Sequence, residues 1–208
     1  MISKNTQLKI DNWIKKGFRY KYAKESLKCC QSFLAAWNIL QESIAGEVKD
    51  FTRLTELQPL EESNYDWNGW VWEIIESLDT ASKQYPESLQ QSLEFIDSFL
   101  QRFPNTSDVD LMERLQRLLI KTHFLLTNDA EGVQAVKNYY KKYPYAVWGY
   151  IEWGDALLKR TTTPDTKLYE QVLKIYQKGL NLNDDPDFID ILKGRIARLK
   201  KKRKLKAV

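Results

Sequence analysis

Phe99-Leu-Gln-Arg-Phe-Pro104, Tyr139-Tyr-Lys-Lys-Tyr-Pro144 and Gly179-Leu-Asn-Leu-Asn-Asp184 stand 40 residues apart, and each closes an amphipathic segment in the same register. A helix ending that recurs at a fixed period marks a repeat array. Units of this size cannot bury their apolar faces alone, so they stack on one another into a solenoid. Working outward, the spacing predicts a helix from Asp66 to about Lys83 and a second opened by Pro86, carrying Leu89, Leu93, Ile96 and Phe99 and ended by Pro104. Ser107 or Asp108 is placed to cap the next helix, and Asn128 or Asp129 its partner. The third pair reads as 146–159 and 165–182, with Thr163 as N-cap and Pro164 at the first helical position. Asp185 and Pro186 repeat that device before a last helix whose Ile189, Leu192, Ile196 and Leu199 face inward.

Toward the N-terminus, Ile10, Trp13, Ile14 and Phe18 and then Leu27, Cys30, Phe33, Leu34, Trp37, Leu40 and Ile44 recur at helical spacing, which predicts a helical hairpin over 1–48 with Trp13 and Trp37 in its core. Residues 49–65 lose the period and contain Pro59. They read as a loop, the most mobile segment, with room for a short helix around 50–57. The three repeats then span 66–184, and 185–208 form a capping helix with a basic tail. The expectation is one all-α domain over 1–208, a right-handed α-solenoid of about nine helices with no strand.

In the third repeat, Tyr150, Trp153, Gly154 and Leu157 resemble the first-helix signature of tetratricopeptide repeats, and Val172, Tyr176 and Gly179 resemble the second. Six extra residues around Arg160-Thr-Thr-Thr-Pro164 account for a period of 40 rather than 34. Over roughly 65–200, Tyr65-Asp-Trp-Asn, Trp148-Gly-Tyr-Ile-Glu-Trp-Gly-Asp and Tyr169-Glu-Gln-Val-Leu-Lys-Ile-Tyr-Gln-Lys-Gly-Leu are similar to the helical-repeat portion of bacterial proteins that often carry a SEC-C zinc motif. That motif needs Cys-x-Cys-Gly-Ser-Gly and a further Cys-Cys or Cys-His pair. This chain has only Cys29-Cys30, so the resemblance implies an interaction solenoid without the metal module.

Charge is unevenly placed. The net value is +4, yet residues 1–30 hold eight Lys or Arg against two acids and residues 193–208 hold nine with no acid, so the middle is strongly acidic. Only the ends suit a polyanion. Adjacent Cys29 and Cys30 are too close for an unstrained disulfide and read as free thiols in a reducing compartment. No stretch approaches the ~18–20 apolar residues of a membrane span, and the first residues have no apolar leader core, so the expectation is a cytoplasmic protein with no membrane partner.

Catalysis has little to stand on. His123 is the single histidine and sits on the edge of an apolar stripe, and no phosphate-binding glycine loop is present. The expectation is a non-enzymatic protein with no cofactor and no metal. Aromatic residues are the richer class: Trp67, Trp70, Trp148 and Tyr150 fall in first helices of pairs, which line the concave groove of tetratricopeptide arrays. They are the candidate anchors for a protein or peptide partner, although the same spacings satisfy core packing. The alternative site is the basic tail, Arg198, Lys200, Lys201, Lys202, Arg203 and Lys204, which suits nucleic acid or the ribosome and is equally the solvated end of a capping helix.

Overall fold

The structure is a computed structural model that describes residues 2–44, 48–57, 66–182 and 185–206, without the side chains of 55–57 and 203–206. The described residues form ten helices and no strand: α1 Lys4–Tyr22, α2 Ser26–Ser43, α3 Phe51–Leu57, α4 Trp67–Ala81, α5 Glu87–Arg102, α6 Val109–Leu125, α7 Asp129–Lys142, α8 Trp148–Lys159, α9 Thr166–Leu180 and α10 Pro186–Lys206. None is long and apolar enough to cross a membrane. The chain divides into two compact units, Met1–Leu115 and Gln116–Val208, with the boundary inside α6.

Unit 1 is built around the aromatic ring of Trp37. α2 packs on α1, α4 and α5, and Trp37 stacks on Phe99 at 5.5 Å and meets Phe95 edge-on at 5.1 Å. Its indole N–H donates to the Ser98 hydroxyl at 2.9 Å, so the one polar atom of the ring is satisfied inside the core. The α1–α2 contact is close because Gly17 lies against Phe33: a Cβ there would stand 2.3 Å from the Phe33 ring. Segment 48–57 makes contacts with α5 and the turn after it. Phe51 is fully buried against Phe99 and Phe103, and the Arg102 guanidinium donates to the carbonyls of Ile44 and Val48. Asp50 accepts from the backbone N–H of Thr52 and Ser107. Burial alone would raise its carboxyl, but these hydrogen bonds outweigh it and hold the group below its ordinary value. The remaining loop residues, 58–65, lie outside the described residues.

The helix ends show how far the 40-residue recurrence extends. Phe103 and Tyr143 adopt nearly the same conformation, φ −125°, ψ 57° and φ −127°, ψ 68°, and each donates its N–H to the carbonyl four residues back at 2.8 Å. Each precedes a proline, which bars the α region to the residue before it and stops the helix. The equivalent third position, 183, lies outside the described residues, and α9 ends instead at Asn181. The cap of α9 differs from the sequence expectation. Asp165, not Thr163, is the N-cap: its backbone is extended and its carboxylate accepts from the Leu168 N–H at 2.7 Å, which places Pro164 before the cap. Asp108 caps α6 by accepting from Leu111, whereas Asn128 stands at the N-cap of α7 without a side-chain capping bond.

In unit 2, α8 packs on α7 and α9, and α9 on α10. A Cβ at Gly154 would stand 2.3 Å from Cε1 of Tyr176, and one at Gly179 would be 3.1 Å from Cβ of Tyr150. Both glycines therefore sit where two helices approach closely. Leu192 and Leu199 of α10 are buried, and Ile196 packs against the same core.

Candidate functional site

Openings that collect polar side chains occur in both units, and one of those in unit 1 is lined by Lys21, Cys29, Glu73 and Glu76. In unit 1, α2 presents Gln31, Asn38 and Gln41 along one edge of a groove of about 480 Å³, and α5 presents Gln91, Glu94 and Ser98 along the other. Helical residues three, four and seven apart share a face, which is why each set lies in a row. The floor is apolar, made by Leu34, Trp37 and Phe95. Gln31, Asn38 and Glu94 are exposed, and the lining carries a single charge, that of Glu94. The groove is thus rich in amides, each of which both donates and accepts hydrogen bonds.

In unit 2, an open cleft of about 300 Å³ lies where α8, α9 and α10 meet. At its base the Arg195 guanidinium is fastened to Asp155, with Nε 3.1 Å from Oδ1 and Nη2 2.9 Å from Oδ2. The Tyr176 hydroxyl donates to the same carboxylate at 2.6 Å. The guanidinium's own hydrogen bond to Asp155, ahead of the opposing cost of burial, holds the Arg195 pKa above its ordinary value; burial, followed by the Asp155 charge, raises that of the Tyr176 phenol. Lys159, Arg198 and Lys202 line the walls, over Leu158 and Leu199.

The residues singled out from sequence fall differently. Trp67 and Trp70 are fully buried and 5.7 Å apart, with Trp70 packed in turn against Trp37. They offer no surface to a partner in this structure, because the core of unit 1 needs their area. Trp148 and Tyr150 are half-buried. Trp148 lies under the Arg117 guanidinium at 5.0 Å and against Phe188, and Tyr150 stacks on Tyr140 at 4.5 Å. None of the four lines the groove or the cleft. Of the basic tail, Arg198 and Lys202 reach the cleft, Lys200 and Lys201 are exposed away from it, and of Arg203 and Lys204 only the helical backbone is described.

The groove amides and the meeting of Lys159 with α10 residues around one cleft escaped the sequence reading. Polar residues at 31, 38 and 41 carry a helical-face signal, but no sequence spacing joins them to 91 and 94. Cys29 and Cys30 are free thiols, both buried. Burial, with the Glu73 carboxylate next, pushes Cys29 up to about 11, and burial pushes Cys30 up to about 12, so both are neutral, poor nucleophiles near pH 7. No cluster of three or more metal-ligating side chains occurs among the described residues. The chain matches no protein-family model, no curated protein and no solved structure.

Proposed function

We propose that this chain is a non-enzymatic binding protein that holds an extended segment of a protein or peptide in the α2–α5 groove. The observation that carries this reading is the amide lining. An extended chain turns its N–H and C=O groups sideways, and amide side chains answer both. Asn38 and Gln41 on α2, and Gln91, Glu94 and Ser98 on α5, are helix-face neighbours about 5–6 Å apart, near the roughly 6.6 Å two-residue repeat of an extended segment. Gln31 stands two turns, about 10.5 Å, from Asn38. With Glu94 as the only charge in the lining, attraction is short-ranged and nearly independent of salt. In this reading the protein is a cytoplasmic adaptor of tetratricopeptide-like hairpins, right-handed in its stacking and needing no cofactor. The matched ends at Phe103 and Tyr143 and the close approach at Gly154 support that part.

Peptides selected from a displayed library on the full chain test the reading by fluorescence anisotropy. Gln31→Leu/Asn38→Leu alters two exposed side chains, so the fold should persist while affinity falls at least about tenfold, the scale of two lost hydrogen bonds. Equal binding to both proteins, or no selected peptide, refutes the groove. A second reading, nucleic acid or ribosome held by the basic ends, is favoured by the exposed cations of α10. Its mark is a log-log salt slope of about −0.9 per duplex phosphate neutralised, lost on removing 200–208.

A further inference from the structure

The cleft of unit 2 stands independently of the groove. We propose that it is an anion site that takes the phosphate group of a small phosphorylated ligand. Asp155 holds Arg195 by Nε and Nη2, and Tyr176, itself buried, holds Asp155. The guanidinium is therefore fixed in place, and its Nη1 end has no described partner on a side chain 26% exposed. A positioned donor loses less entropy on binding than a free one.

Around it stand Lys159, Arg198 and Lys202, none in an ion pair among the described residues, so four cations line the cleft against the single carboxylate of its lining, Asp155, with Glu152 acting on Arg195 from outside that lining. That excess repels itself until an anion enters. A phosphate monoester carries about −1.5 to −2 and three acceptor oxygens, enough for cations arriving from both α8 and α10. A carboxylate would leave most of them unanswered. Leu158 and Leu199 provide a short apolar floor for the body of the ligand. Tyr176 is the sole aromatic in the lining and is buried, so no ring face is free to stack a nucleobase, which favours a small ligand over a nucleic-acid strand.

Calorimetry on the full chain tests the site with inorganic phosphate, O-phosphoserine and a 20-residue oligothymidylate. Two variants each remove two positive charges: Lys159→Ala/Arg198→Ala inside the cleft and Lys200→Ala/Lys201→Ala outside it. All four residues are exposed, so both proteins should fold, as circular dichroism would check. The expected result is saturable binding of phosphate and phosphoserine, weakened at least about tenfold by the cleft pair and little changed by the outer pair. Tighter binding of phosphoserine supports a site for a phosphorylated molecule, and equal binding supports one for free phosphate. No saturable binding of either, equal losses in both variants, or binding of the oligothymidylate alone overturns the proposal.

Discussion

Gly154→Ala adds one methyl group where the structure has no room for it. The new Cβ would stand 2.3 Å from Cε1 and 2.8 Å from Cζ of Tyr176, against about 3.5–4.0 Å for comfortable carbon contact. The ring cannot yield cheaply, because its hydroxyl is bonded to Asp155, which in turn holds Arg195. Overpacking costs about 1–3 kcal/mol, and stretching a hydrogen bond to a charged acceptor adds about 1.5–3. Alanine regains about 1 kcal/mol of helix propensity over glycine. The net is a destabilisation of roughly 1.5–5 kcal/mol. At Gly194 of α10 the nearest atom to an added Cβ is 3.9 Å away, so Gly194→Ala keeps only the gain and should stabilise by about 0.5–1 kcal/mol. Urea melts followed by circular dichroism measure both. The clash also predicts coupling: with Tyr176→Leu in place, the alanine should cost less than it does alone, by about 0.5–3 kcal/mol. A Gly154→Ala protein as stable as the parent, or additive losses in the double variant, would refute the close-contact argument.

Thr127 sits at φ 63° after α6, closing the helix with the Asn128 N–H on the His123 carbonyl and its own N–H on that of Phe124. A β-branched residue is strained there, so Thr127→Gly should stabilise by about 1 kcal/mol, read as a higher urea midpoint. The thiols give a pH test. Their folded pKa values lie above the ordinary 9.0, so the protonated folded form is favoured: the contribution is complete below about pH 9 and is lost as pH rises toward about 11 and 12. Stability should therefore fall above pH 9, and less so in Cys29→Ala/Cys30→Ala. Alkylation at pH 8 should be slow in the native protein and fast in urea, and rapid native labelling would contradict the burial.

Apolar periodicity and end signals were enough for the helices themselves. Pro104 and Pro144 stop α5 and α7 by a local steric rule, and the stripes on α2, α5, α9 and α10 say which face turns inward. Gly154 and Gly179 were legible as contact points for the same reason, since a missing side chain has meaning only where something approaches. Local chemistry was less decisive where neighbours competed. Thr163 and Asp165 are both capping residues, and the extended backbone at Asp165 settled which one serves.

Which aromatics face a partner was not a local property. Trp67 and Trp148 carry similar sequence signals, yet Trp67 is fully buried and Trp148 half-exposed, because burial depends on which helices pack against each ring. The same holds for the binding surfaces. The groove joins residues about 60 positions apart on α2 and α5, and the cleft joins Asp155 and Lys159 to Arg195, Arg198 and Lys202. Side-chain type and helical face are written along the chain, but the pairing of faces comes from packing distant segments into a common core, and only the tertiary structure decides it.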